Sequence, residues 1–255
     1  MLPALFVSHG SPTLPFDDCP ARDFLRSLSA TLEKPRAILV ASAHWDTPAP
    51  AVNAAAKNGT IHDFYGFPKA LYEQHYDAQG APALAERTAQ LLKNAGLAAS
   101  IDTGRGLDHG AWVPLMLAYP GADIPVLQLS VQSHAGAAHH VALGRALASL
   151  REEGVLILGS GGLVHNLATI DWNGGPEPGW SRAFADWVHA ALVERREDDL
   201  VRYRARAPHA VQAHPTEEHF MPLFVAYGAG GRAATRLHRS ATFGSLRMDA
   251  YAFGD

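Results

Sequence analysis

Four short stretches of this chain, residues 3–7, 36–43, 125–131 and 155–160, are apolar almost from end to end. A strand with one wet face alternates apolar and polar residues, whereas a strand that is apolar throughout is covered on both faces. Segments with helical spacing lie between these stretches. Residues 20–32 place Phe24, Leu25, Leu28 and Leu32 on one side. Residues 81–94 end before Gly96, and 110–119 read as helical despite Pro114. Residues 135–153 form a long helix stopped by Gly154, and 180–196 and 198–207 follow. Pro215 reads as the first residue of a further helix. Residues 98–102, 235–237 and 245–251 are minor strands. This alternation predicts an α/β three-layer sandwich, with a central, largely parallel or mixed sheet and helices on both faces. The loop at 173–179 marks no shift in composition, so residues 1–255 are expected to form a single domain.

Composition excludes several function classes. With one cysteine, Cys19, there is neither an intrachain disulfide nor a cysteine-rich zinc or iron–sulfur site. Twenty-one basic against 25 acidic residues leave a net charge of −4, which gives no field for nucleic acid. The mixed-sign run at 194–206 reads as a solvated helix pair laced with ion pairs rather than a basic stripe. The N-terminus has no basic region ahead of its short apolar run, and no stretch approaches the ~20 apolar residues of a membrane span. The expectation is a soluble cytoplasmic protein with no nucleic-acid or membrane partner.

The chain has 14 histidines, and their placement is informative. His9 follows the first strand in F-V-S-H-G, His44 the second in A-S-A-H-W, and His165 the fourth in G-S-G-G-L-V-H-N. In open α/β sheets ligands bind at the carboxyl ends of the strands. Any one of these histidines alone is an ordinary hydrogen-bonded residue. Three at equivalent positions point to a metal site or an acid–base cluster. His214 and His219 flank P-T-E-E and lie about 140° apart around a helix, so only one reaches a given ion. His219, expected inside the helix, is the better choice, and His214 reads as a surface or capping residue. Glu217 and Glu218 are alternative ligands, or first-turn charges favoured by the helix dipole. In G-L-D-H-G-A-W, either Asp108 or His109 caps a helix, or His109 overhangs the site. His62, in the loop T-I-H-D-F-Y-G-F-P, is a candidate pocket wall together with Trp45, Tyr65 and Trp112. The remaining histidines have no partner spacing that argues for a role.

Familiar catalytic motifs fail. Leu158 stands where G-x-S-x-G needs its first glycine, Val164 stands where G-x-G-x-x-G needs its last, and H-E-x-x-H does not occur. Dispersed nitrogen ligands without cysteine suit zinc, for hydrolysis by an activated water, or non-haem Fe(II), for O₂ chemistry beside a chelated substrate.

The segments P-A-L-F-V-S-H-G-S-P, S-A-H-W, T-I-H-D-F-Y-G-F-P, D-H-G-A-W, L-G-S-G-G-L-V-H-N and P-T-E-E-H-F-M-P-L, in that order, resemble the class III extradiol ring-cleavage dioxygenases. The likeness is to the DOPA 4,5-dioxygenase-like branch, and it runs from Pro3 to Leu223. It implies a non-haem metal-dependent enzyme that cleaves a catechol with O₂ to a muconic semialdehyde-type product. His9, His44 and His219 would hold the metal, Fe(II) for activity, with Zn(II) in protein as purified. Many relatives use a glutamate as the third ligand, so Glu217 and Glu218 stay open. His165 would be the active-site base, with room for it near the metal, and His109 would lie on the dioxygen and substrate side. The alternatives are a zinc-dependent hydrolase on the same scaffold and a non-catalytic metal-binding subunit.

Overall fold

The computed structural model describes residues 1–231 and 233–254. The described strands are β1 (Ala4–Ser8), β2 (Ala37–Asp46), β3 (Ala51–Asn53), β4 (Ser100–Asp102), β5 (Val126–Val131), β6 (Val155–Gly161), β7 (Ala234–His238), β8 (Ala241–Thr242), β9 (Leu246–Arg247) and β10 (Ala250–Phe253). The helices are α1 (Pro20–Leu28), α2 (Lys69–Tyr72), α3 (Pro82–Asn94), α4 (His109–Ala118), α5 (Gly136–Leu147), α6 (Gly179–Val193), α7 (Glu197–Val201), α8 (Tyr203–Arg206), α9 (Ala210–Ala213) and α10 (Met221–Gly230).

One sheet runs in the order β4-β3-β5-β2-β6-β1-β10-β7. Its middle strands β5, β2, β6 and β1 are parallel. Strand β10 pairs antiparallel to β1, and β3 antiparallel to β5. The strands that read as apolar throughout are thus the central ones. Alternate residues feed two separate cores. Phe6, Leu39 and Ile157 join the layer of α3, α5, α6 and α10 on one face. Leu5, Val7, Ile38, Val40, Leu156 and Leu158 join the layer of α1 and α4 on the other. Because β1, β2 and β6 point the same way, their carboxyl ends share one rim, and the segments carrying His9, His44 and His165 leave from it.

The structure corrects some boundaries. No helix starts at Pro215, because residues 215–220 form bends and turns and α10 begins at Met221 with Pro222 in its first turn. Backbone bonds to the segment just after β6 outcompete that helix, since His219 O accepts from Gly162 N at 2.9 Å and Ala213 O from His165 N at 2.9 Å. The stretch 198–207 divides into α7 and α8, and 245–251 divides between β9 and β10. The run at 194–206 carries ion pairs as expected, Arg196 with Glu194 and Asp199 among them. Among the described residues, no helix is long and apolar enough to cross a membrane.

Candidate metal centre

Each histidine at the rim is aimed by a local irregularity. His9 follows β1 directly, and its N–H donates to Gly161 O at 2.9 Å, extending the parallel ladder by one residue. Strand β2 bulges here. Ser42 pairs with Ser130 and Asp46 with Val131, so His44 sits in residues that have no partner across the ladder. His219 is brought in by the turn ahead of α10, which crosses β6 so closely that a Cβ on Gly161 would collide with the His219 carbonyl. The G-S-G-G run that fails as a nucleophile elbow therefore serves to admit this turn.

The Nε2 atoms of these three side chains face one another. His44 Nε2 lies 3.1 Å from His9 Nε2 and 3.2 Å from His219 Nε2. Their Nδ1 atoms point away, each to an oxygen. Ser160 donates its hydroxyl proton to Gly110 O, so its oxygen accepts from His9 Nδ1, 3.1 Å away. His219 Nδ1 donates to Glu218 Oε1 at 2.9 Å. His44 Nδ1 lies 3.3 Å from Asp63 Oδ2, a buried oxygen with no hydrogen bond of its own. Carboxylates accept only, so the protons reside on Nδ1 and the three Nε2 lone pairs turn inward. His9 and His219 are almost fully buried. Burial, reinforced by the neighbouring imidazoles, holds both well below the usual histidine range and pulls His44 down to about 3. Three neutral imidazoles with converging lone pairs repel one another unless a cation lies between them. This donor set, with its outer oxygens, fits a divalent metal ion.

Two histidines border the centre. His109 opens α4, whose N-cap is Asp108. Asp63 Oδ1 accepts from His109 Nδ1 at 2.9 Å and from its backbone N–H at 3.0 Å, so one carboxylate braces both His44 and His109. His165 stacks flat on His219, with centroids 3.4 Å apart and planes 6° apart. Within the described residues, two groups have metal-ligand spacing, His9–His44–His109 and His165–Glu218–His219. The stacking weighs against the second, because lone pairs in two parallel ring planes do not converge on one ion. In the first, His109 already commits its Nδ1 to Asp63 Oδ1.

The centre forms one wall of a cavity of about 580 Å³, lined also by Asp63, Phe64, Phe67, His165 and Glu218. That volume suits a small aromatic molecule. His62, Trp45 and Tyr65, expected to line it, do not. His62 Nε2 donates to Gln74 O at 3.0 Å, and its ring packs beside Phe64 and Trp112. Trp45 is buried under the Arg105 guanidinium, 4.4 Å away, and Tyr65 is 91% exposed. Trp112 is buried and donates to Ile61 O. His214 is not at the surface: it is the C-cap residue of α9, buried against Phe220, and its ring donates to Leu163 O at 2.9 Å. Glu217 accepts from Tyr203 rather than facing the centre. Sequence reasoning passed over Asp63 and Ser160. A lone aspartate among aromatics was the only signal for the first, and nothing local marks the second.

A family model described as the catalytic LigB subunit of aromatic ring-opening dioxygenase matches residues 3–253. The chain belongs to this family. Membership makes it a ring-opening dioxygenase, and hence an oxidoreductase. Among its relatives is a 4,5-DOPA dioxygenase extradiol of Beta vulgaris, 48% identical over 97% of this chain and 95% of that one. Another, of Escherichia coli strain K12, is 41% identical over 99% of this chain and 95% of that one. The crystal structure of an uncharacterized protein from Escherichia coli K12 superposes with a TM-score of 0.82 at 36% identity and covers 100% of both chains.

Proposed function

We propose that this LigB-family chain is an extradiol dioxygenase, opening the ring of a catechol with O₂ to a muconic semialdehyde-type product, with Fe(II) held by His9, His44 and His219. The convergence of three Nε2 lone pairs, each fixed by an oxygen behind its ring, supports the reading most. The chemistry a bound Fe(II) supplies is chelation of two adjacent hydroxyls and electron exchange with dioxygen.

The chain's own residues bind the substrate and move its protons. Phe64, Phe67 and Val164 line the cavity beside the histidines and keep water from the ring. Burial, with a smaller push from His109, lowers His165 to about 4, so at pH 7 its imidazole is neutral and free to take a proton. It lines the cavity next to His219, where a catechol held by the metal would present its hydroxyls. General base help of this kind is worth ~10²–10⁴ in rate. His109 has its Nδ1 committed to Asp63, so its Nε2 is the atom left to face the cavity from the His44 side. There it would face the dioxygen and substrate side of the site.

The test is oxygen uptake. Apo-protein is loaded with Fe(II) under anaerobic conditions, given a panel of catechols, then exposed to air. Uptake stoichiometric with a new visible chromophore is expected. A zinc hydrolase on the same residues consumes no oxygen. Absence of uptake at one bound metal per chain would overturn the proposal.

A further inference from the structure

His44 lies in the bulged residues 43–45, which stand outside the β2–β5 ladder, so side chains must hold what backbone pairing does not. Its peptide is gripped at both ends. On the N–H side, His44 N donates to Ser42 Oγ at 3.2 Å, and Ser42 Oγ donates its own proton to Asp108 Oδ1 at 2.6 Å. On the carbonyl side, Arg105 Nη2 donates to Asp108 Oδ2 at 3.0 Å and reaches His44 O at 3.5 Å. The same guanidinium covers the next side chain, 4.4 Å from the centre of the Trp45 ring. There is little slack beneath this grip. A Cβ on Gly110 would come within 2.4 Å of Ser42 Oγ and 3.0 Å of His44 Cδ2.

Arg105 works from a fixed base. Its backbone N–H donates to Asp102 Oδ1 at 2.9 Å, and its carbonyl accepts from Asn53 Nδ2 at 3.2 Å. The side chain then crosses from this loop to β2. Asp108, which joins the two halves of the grip, is fully buried, and Arg105 is the cation paired with it. A buried carboxylate without its cation is costly, so the pair holds Arg105 in place. The Trp45 face adds a flat seat that suits a planar guanidinium better than an ammonium. Asp108 also caps α4, whose first residue is His109.

Resting on the metal centre read above, we infer that Arg105 is a positioning residue for His44, holding that ligand's peptide through its carbonyl, through Trp45 and through Asp108. Arg105 does not line the cavity, so it acts on the centre only through His44. Asp63 faces the Nδ1 of the ring, whereas Arg105 fixes where the ring stands. The test loads apo-protein with Co(II), whose visible absorption reports ligand geometry, and with Zn(II), whose affinity is read by chelator competition. Circular dichroism checks folding. Arg105→Gln removes the cation. Arg105→Lys keeps a cation beside Asp108, and is expected to fold even if the first variant does not, but it lacks the flat face and the fork. Changed Co(II) bands and about tenfold weaker Zn(II) binding are expected in each folded variant. Native bands in Arg105→Lys overturn the inference even if its melting point falls, because the residue then supports the fold alone. If native protein takes up no Co(II), the reading of the centre fails and the inference with it. If native protein binds Co(II) but its Fe(II) form takes up no oxygen, the ring-opening proposal fails, and the bands alone decide the role of Arg105.

Discussion

Replacing Asp63 by asparagine isolates what the oxygens behind the histidines contribute. Asp63 is ionised at neutral pH, because the hydrogen bonds and charge of His109 outweigh burial and hold its carboxyl at about 2. Its Oδ1 accepts from His109 Nδ1 and backbone N–H, and its Oδ2 lies 3.3 Å from His44 Nδ1. An asparagine oxygen retains the first role. The amide NH₂ then faces His44 Nδ1, where it can only donate, so His44 must carry its proton on Nε2 and withdraw that lone pair from the metal. Loss of such an outer partner costs ~10–100-fold in metal affinity, about 1.4–2.8 kcal/mol. Zn(II) affinity is measured at pH 7 by competition with a chromophoric chelator on native protein and Asp63→Asn, with circular dichroism as the check on folding. Weakening by about ten- to a hundredfold is expected. A folded variant that binds within about twofold of native would refute the claim that Asp63 fixes the His44 tautomer.

Four other outcomes follow from the same geometry. His165→Ala is expected to keep its metal and lose ~10²–10⁴ in turnover; equal metal loss in His165→Ala and His9→Ala would make His165 a ligand. His44→Ala and His219→Ala are expected to fail to hold stoichiometric iron, which elemental analysis checks. Gly161→Ala drives a methyl into the His219 carbonyl, so its melting point falls, by about 1–3 kcal/mol in stability, and its metal affinity falls too. His140, buried with Nε2 accepting from Gln132 N and Nδ1 donating to Gly136 O, is lowered by burial from 6.5 to about 4. The unfolded chain therefore binds its proton first, so apo-protein stability drops as pH falls from 6.5 toward about 4, by about 3 kcal/mol for this residue. Urea melts across that range should show a shallower slope for His140→Gln, and an unchanged slope contradicts the assignment.

The fold was legible because β1, β2, β5 and β6 carry unbroken apolar sequence, and only a two-sided sheet accommodates that. His9 and His44 were legible for a related reason, since strand ends in a parallel sheet share a rim. The path to His219 was not. Pro215 reads as a helix start, but the backbone there bonds to the segment just after β6, a tertiary preference that no local spacing records. Asp63 and Ser160 escaped notice because what gives them a role is distance in space. Ser160 lies 151 residues from the ring it braces. Trp45 and Tyr65 looked like pocket walls on aromatic character alone, yet one is covered by Arg105 and the other faces solvent.

The assignment of the centre is tested most directly by anomalous diffraction from crystals of the metal-loaded protein. A single peak bounded by the Nε2 atoms of His9, His44 and His219, with His165 outside the coordination sphere, is the expected result. A peak held by His165 and Glu218, or one that takes His109 and leaves His219 out, would contradict it.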